Sequence, residues 1–143
     1  MLRRIPLVPV LLALGLLAAL PLRLNAAPLY ENETVKLPCG RVIKVLSVSK
    51  VEYSKGVMAL MLRYQTTLLV GEQRQALSEE VDDVFKIAQK QVEHGGYHEA
   101  VISCNEVSHG LILTANRMLN FIFERGSDGA WTRLGRSEFM AVQ

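Results

Sequence analysis

Residues Gln75 to His94 read QALSEEVDDVFKIAQKQVEH, and the fold class turns on this stretch. Leu77, Val81, Val84, Phe85, Ala88 and Val92 recur at steps of four, three, one, three and four. Such spacing gathers them on one stripe of a 3.6-residue helix. The stripe is expected to be buried, with Glu80, Asp83, Lys86 and Lys90 facing water. Glu79, Glu80, Asp82 and Asp83 crowd the amino-terminal half while Lys86 and Lys90 lie nearer the other end, an order that suits the helix dipole. Asp82 and Lys86 stand at the four-residue spacing of a helical ion pair. Ser78 offers a cap for a late start, the alternative being a start one turn earlier. Gly95-Gly96 ends the helix.

Strand patterns flank it on both sides. Thr34-Val35-Lys36-Leu37 reads as an edge strand stopped by Pro38-Cys39-Gly40. Arg41 to Tyr53 carries Val42, Ile43, Val45, Val48 and Val51 and reads as a long strand. After Ser54-Lys55-Gly56, Val57 to Leu68 alternates, with Met58, Leu60, Leu62, Tyr64 and Leu68 on one face and only Thr66 breaking the apolar set. These two segments predict an antiparallel hairpin. Tyr97 to Asn105 supplies a strand centred on Val101 and Ile102. Beyond a turn at Ser108-His109-Gly110, Leu111, Leu113, Ala115, Leu119, Phe121 and Phe123 share a face that Arg117 interrupts. Gly126-Ser127-Asp128-Gly129 makes a hairpin loop, Ala130 to Leu134 pairs back, and Gly135 to Gln143 is expected to be loose.

One amphipathic helix and one apolar sheet face have a simple joint solution. The expected fold is α+β: a two-layer domain, with the helix over about 75–94 packed on a mostly antiparallel sheet of about five strands in the order ββαβββ. The strands on either side of the helix are expected to run parallel through a right-handed crossover.

The amino terminus has a different character. Arg3 and Arg4 precede an uncharged run from Ile5 to Leu22, followed by the small pair Ala26–Ala27. That layout predicts a secretory signal peptide over 1–26 and one globular domain over 27–143, secreted or periplasmic. The rival reading is an uncleaved membrane anchor, and the chain touches membrane only in that case. Arg3, Arg4 and Arg23 leave with the leader, so the mature chain carries 13 basic against 14 acidic residues. No basic face suggests a nucleic-acid partner. The mature chain has two cysteines, Cys39 and Cys104. In an oxidising compartment an even pair predicts a disulfide, here stabilising by about 4 kcal/mol through loop closure.

No catalytic, metal or cofactor motif emerges. His94 and His98 are separated by the glycine pair that ends the helix, and no third ligand accompanies them. Cys104 and His109 lie close in sequence, but Glu106 between them disfavours a thiolate. Trp131 reads as a packing residue of the last hairpin. Asn105, Glu106, Asn116 and Arg117 are expected near one sheet end and form the candidate binding group. The expected function is a non-enzymatic module whose partner, if any, is another protein: an inhibitor, immunity or envelope accessory domain. The alternative is a small exported hydrolase whose site forms only on folding.

Overall fold

The computed structural model describes residues 28–107 and 115–142. The leader, the turn at Ser108-His109-Gly110 and the positions Leu111 and Leu113 lie outside the described residues. The chain runs β1 (Thr34–Lys36), β2 (Val42–Ser54), β3 (Val57–Thr66), α1 (Arg74–His94), β4 (Glu99–Glu106), β5 (Ala115–Arg125) and β6 (Trp131–Val142). The strands form one sheet in the order β1-β2-β3-β4-β5-β6. Every neighbouring pair is antiparallel except β3 and β4, which run parallel on either side of the helical crossover. The α+β architecture expected from the sequence is therefore present, with six strands.

The core sits between α1 and one face of this sheet. Cross-strand rows build that face: Leu60, Ala100 and Phe123; Leu62, Ile102 and Phe121; Tyr64, Cys104 and Leu119. All nine are buried, as are the six residues of the helical stripe. Strand β2 joins through Ile43, Val45 and Val48, with a register shift at Leu46 between Val45 and Ser47. One extra residue at a bulge turns the following side chains to the other face, which is why the β-branched run here lacks a clean alternation.

Three expectations need correction, and one open alternative is decided. The segment from Gly135 onward is not loose: β6 continues to Val142, whose register partner is Ala115. A further register shift, between Ile122 and Phe123, leaves Leu134 as the extra residue. That breaks the alternation by which the strand would have been visible. Of the two helix starts the sequence leaves open, the earlier is present: the helix begins at Arg74, after Gln73, and Ser78 is not its cap. Its carboxyl end follows expectation: Gly96 takes a left-handed φ of 73° and its N–H donates to the Glu93 carbonyl.

The second correction concerns the helix flank. Glu80 and Asp83 are buried, not solvated, and Glu80 is only 1% exposed. The segment between β1 and β2 folds over them. Arg41 places Nε 3.0 Å from the Glu80 carboxylate and donates from Nη2 to the Ala76 carbonyl at 2.8 Å. The Cys39 N–H donates to Asp83 at 3.1 Å, and Lys86 reaches the same carboxylate at 3.2 Å. Lys86 thus pairs three residues back with Asp83, while Asp82 turns to Arg133 at 3.0 Å. Lys86 and Lys90 are exposed as expected.

Third, the cysteines are unpaired. Cys39 is exposed in the turn after β1, tied by its backbone to Asp83, whereas Cys104 is enclosed in the core row of β4. Burial pushes the Cys104 thiol up to about 12, so it is unreactive at neutral pH. A thiol reagent at neutral pH should modify Cys39 in the native protein and Cys104 only after unfolding. Peptide mapping of the labelled sites reads this directly, and recovery of neither thiol under denaturing, non-reducing conditions would restore the disulfide.

Candidate binding groove

Three of the four residues expected to form a binding group do gather at one sheet end, where β3 leaves for the helix. Asn105 donates to the Tyr64 carbonyl at 3.4 Å and is the register partner of Met118, next to Arg117. Glu106 accepts the Val70 N–H at 3.2 Å. The Arg117 guanidinium lies against Gly71, where a Cβ would fall 2.6 Å from Nη1. All three are engaged with β3 or with the connection from β3 to α1. Asn116 pairs through its backbone with Ala141, and its side chain lies outside the described residues.

A different feature offers a surface of ligand size. Strand β6 is the sheet edge, and its first half runs beside α1. Two hollows open between them. One, about 360 Å³, is lined by Arg74, Gln75, Leu77, Ser78, Phe121, Arg133 and Gly135. The other, about 460 Å³, lies among Asp82, Phe85, Lys86, Gln89, Phe123, Gly129, Ala130 and Trp131. Both fall within the size range of ligand sites.

Local sequence explains how the groove is floored. Phe121 and Phe123 alternate onto the helix side of β5, and Phe85 descends from the middle of the stripe. Phe85 and Phe123 stack with ring centroids 4.0 Å apart and 5° between planes. Trp131 meets Phe85 edge-on at 5.2 Å. Its indole N–H donates to Glu93 at 2.9 Å, and Gln89 donates to the same oxygen at 2.9 Å. These two hydrogen bonds hold the Glu93 carboxyl below its ordinary range. Trp131 is therefore the hairpin packing residue its position implied, and one of its edges is fixed.

Arg133 lines the first hollow and pairs with Asp82, which lines the second. Its guanidinium lies 5.8 Å from the centre of the Phe121 ring, and Nη1 donates to the Ser78 carbonyl at 3.3 Å as well as to Asp82. Arg74, across the first hollow, is exposed. The first hollow thus has two cations and no carboxylate in its lining, while the second is aromatic with one charge of each sign.

His94 and His98 are exposed and line neither hollow, and His109 lies outside the described residues. Among the described residues no group of three or more His, Cys, Asp or Glu is placed to hold a metal ion. Sequence reasoning missed the groove because its lining comes from α1, β5 and β6, and the β6 register that aims Arg133 at the helix follows from backbone pairing. The available signal was the Phe-x-Phe pair followed, across a tight loop, by Trp131 and Arg133.

Asp83, the residue after Asp82, gives the domain an acid-sensitive point. Burial alone pushes its carboxyl up, but hydrogen bonds from Lys86 and Cys39 outweigh that and hold it below the ordinary aspartate value. In the unfolded chain it titrates at about 3.9. Its contribution to stability is therefore complete above that value and is lost as pH falls through the lower, folded value. Urea midpoints measured from pH 5 down to about 2 should fall less steeply for Asp83→Asn than for the parent. Equal slopes would assign the acid sensitivity to other carboxylates.

Compared with known protein families, with characterised proteins and with solved structures, the chain matches none.

Proposed function

We propose that this chain is an exported, non-catalytic module that binds another protein through the groove between α1 and β6. The observation that carries the reading is an aromatic floor of Phe85, Phe123 and Trp131 beside a sheet edge. An edge strand presents unpaired backbone donors and acceptors that an extended segment of a partner can complete. Trp131 is half-buried in this floor, and an aromatic ring partly open to solvent is a usual anchor of such contacts. Export follows from the leader layout, with the mature chain beginning at Ala27 or Pro28. An inhibitor, immunity or envelope accessory role fits this size and location. An exported hydrolase remains the competing reading.

The test places a photo-reactive residue at Gln89, on the groove rim, or at Ser49, in the protein expressed in its own host. Ser49 is exposed and pairs with Met61, so it stands on the sheet face turned away from the helix. The expected result is a covalent adduct of defined mass from Gln89, lost on Trp131→Ala, and none from Ser49. Equal adducts from both positions, or none from Gln89, would overturn the proposal.

A further inference from the structure

We infer that the partner segment is acidic: it presents an Asp or Glu side chain to the first hollow and, two residues away, an aromatic side chain to the second. This rests on the groove reading above and deepens it. In an extended strand, alternate residues share a face and lie about 6–7 Å apart. Arg133 and Trp131 of β6 stand in that relation, both turned toward α1, and each belongs to a different hollow. A second extended chain alongside β6 would face the helix with the same period. Its two helix-facing side chains would meet the two hollows, and the residue between them would point away.

Charge assigns the chemistry of each. The first hollow gathers Arg74 and Arg133 over the apolar floor of Leu77 and Phe121, with no carboxylate in its lining. Arg133 is now held by the Asp82 carboxylate and the Ser78 carbonyl. That exposed ion pair is weak, so an incoming carboxylate that also meets Arg74 can displace it. The fork of a guanidinium suits a carboxylate through paired N–H donors. The second hollow offers the Phe85 and Trp131 rings to an aromatic side chain.

Trp131 is the chain's sole tryptophan, so its fluorescence reports on the groove itself. The experiment titrates the full chain with N-acetyl, C-amidated pentapeptides in which threonine fills every position but two. These carry Glu and Phe at positions two and four, in either order, with partners in which Glu is replaced by Lys or Thr. The expected result is saturable quenching of Trp131 in which one Glu–Phe order binds at least about tenfold more tightly than its Lys counterpart. Arg74→Ala, at an exposed position that should leave the fold intact, removes most of that preference. Asp82→Asn, which frees Arg133, strengthens binding of the Glu peptide. Equal affinity for Glu, Thr and Lys peptides, or a preference untouched by Arg74→Ala, would overturn the acidic assignment and leave the groove reading standing. No response to any peptide, together with no Gln89 adduct, would overturn both.

Discussion

Arg41→Ala should destabilise the domain by about 3–5 kcal/mol, although Arg41 is only partly buried. The cost comes from the residue left behind. Glu80 is wholly enclosed between α1 and the sheet, beside the buried Tyr64 phenol and Cys104. Burial and the neighbouring Cys104 and Glu80 groups push the Tyr64 hydroxyl far above the ordinary phenol value, so it stays neutral, and a neutral phenol does not balance the carboxylate. The Arg41 guanidinium at 3.0 Å is the cation that does. Removing it strands a carboxylate out of water, and also removes the donor to the Ala76 carbonyl. The diagnostic is the double variant. Arg41→Met with Glu80→Leu replaces the pair by apolar groups of similar size and should recover most of the loss, because a buried ion pair is seldom more stable than a well-packed apolar one. Chemical denaturation of the parent, the single variant and the double variant measures both effects. A loss under about 1 kcal/mol for Arg41→Ala would mean that Glu80 is reached by water, and that the turn between β1 and β2 does not close over the helix as described.

Phe85→Ala should cost a similar 3–5 kcal/mol by a different route. The ring is buried in the middle of the helical stripe, stacked on Phe123 and touching the edge of Trp131. Its removal opens a cavity between the layers, lost both as transferred apolar surface and as dispersion contacts that neighbours cannot recover. It also enlarges the second hollow of the groove. Lys86→Ala, one residue on, should cost under about 1 kcal/mol, because the ammonium is 67% exposed and Asp83 keeps its bond from the Cys39 N–H. The contrast between neighbouring positions reads the helical face directly. Similar losses for the two variants would place the stripe on the wrong side of α1.

Much of the domain was legible in the chain before any coordinates. The period of Leu77, Val81, Val84, Phe85, Ala88 and Val92 determined a helix and the face it buries. The alternation through Leu60, Leu62 and Tyr64 determined a half-buried strand. Together they required two layers, since each apolar surface had no other place to go. Local rules sufficed here because the interactions that set these elements lie within a few residues of one another.

Other features depend on where distant segments meet, and only the tertiary structure decided them. Glu80 and Asp83 carry the pattern of a solvated face, and nothing in the helix itself distinguishes them from Glu79. They are buried because the turn carrying Cys39 and Arg41 crosses that flank and satisfies them. The cysteines follow the same logic: compartment suggested a bridge, but β4 pairing places Cys104 in the core row while Asp83 holds the Cys39 backbone at the surface. The end of β6 escaped notice because backbone pairing with β5 needs no amphipathic pattern, and an extra residue at Leu134 erased what alternation there was. The groove is the furthest from sequence, since two arginines and four aromatic rings from three elements become neighbours only when strand register and helix docking are both set. Patterning of a few residues selects elements and faces, whereas burial of charge and the shape of a surface are properties of contacts between segments far apart in the chain.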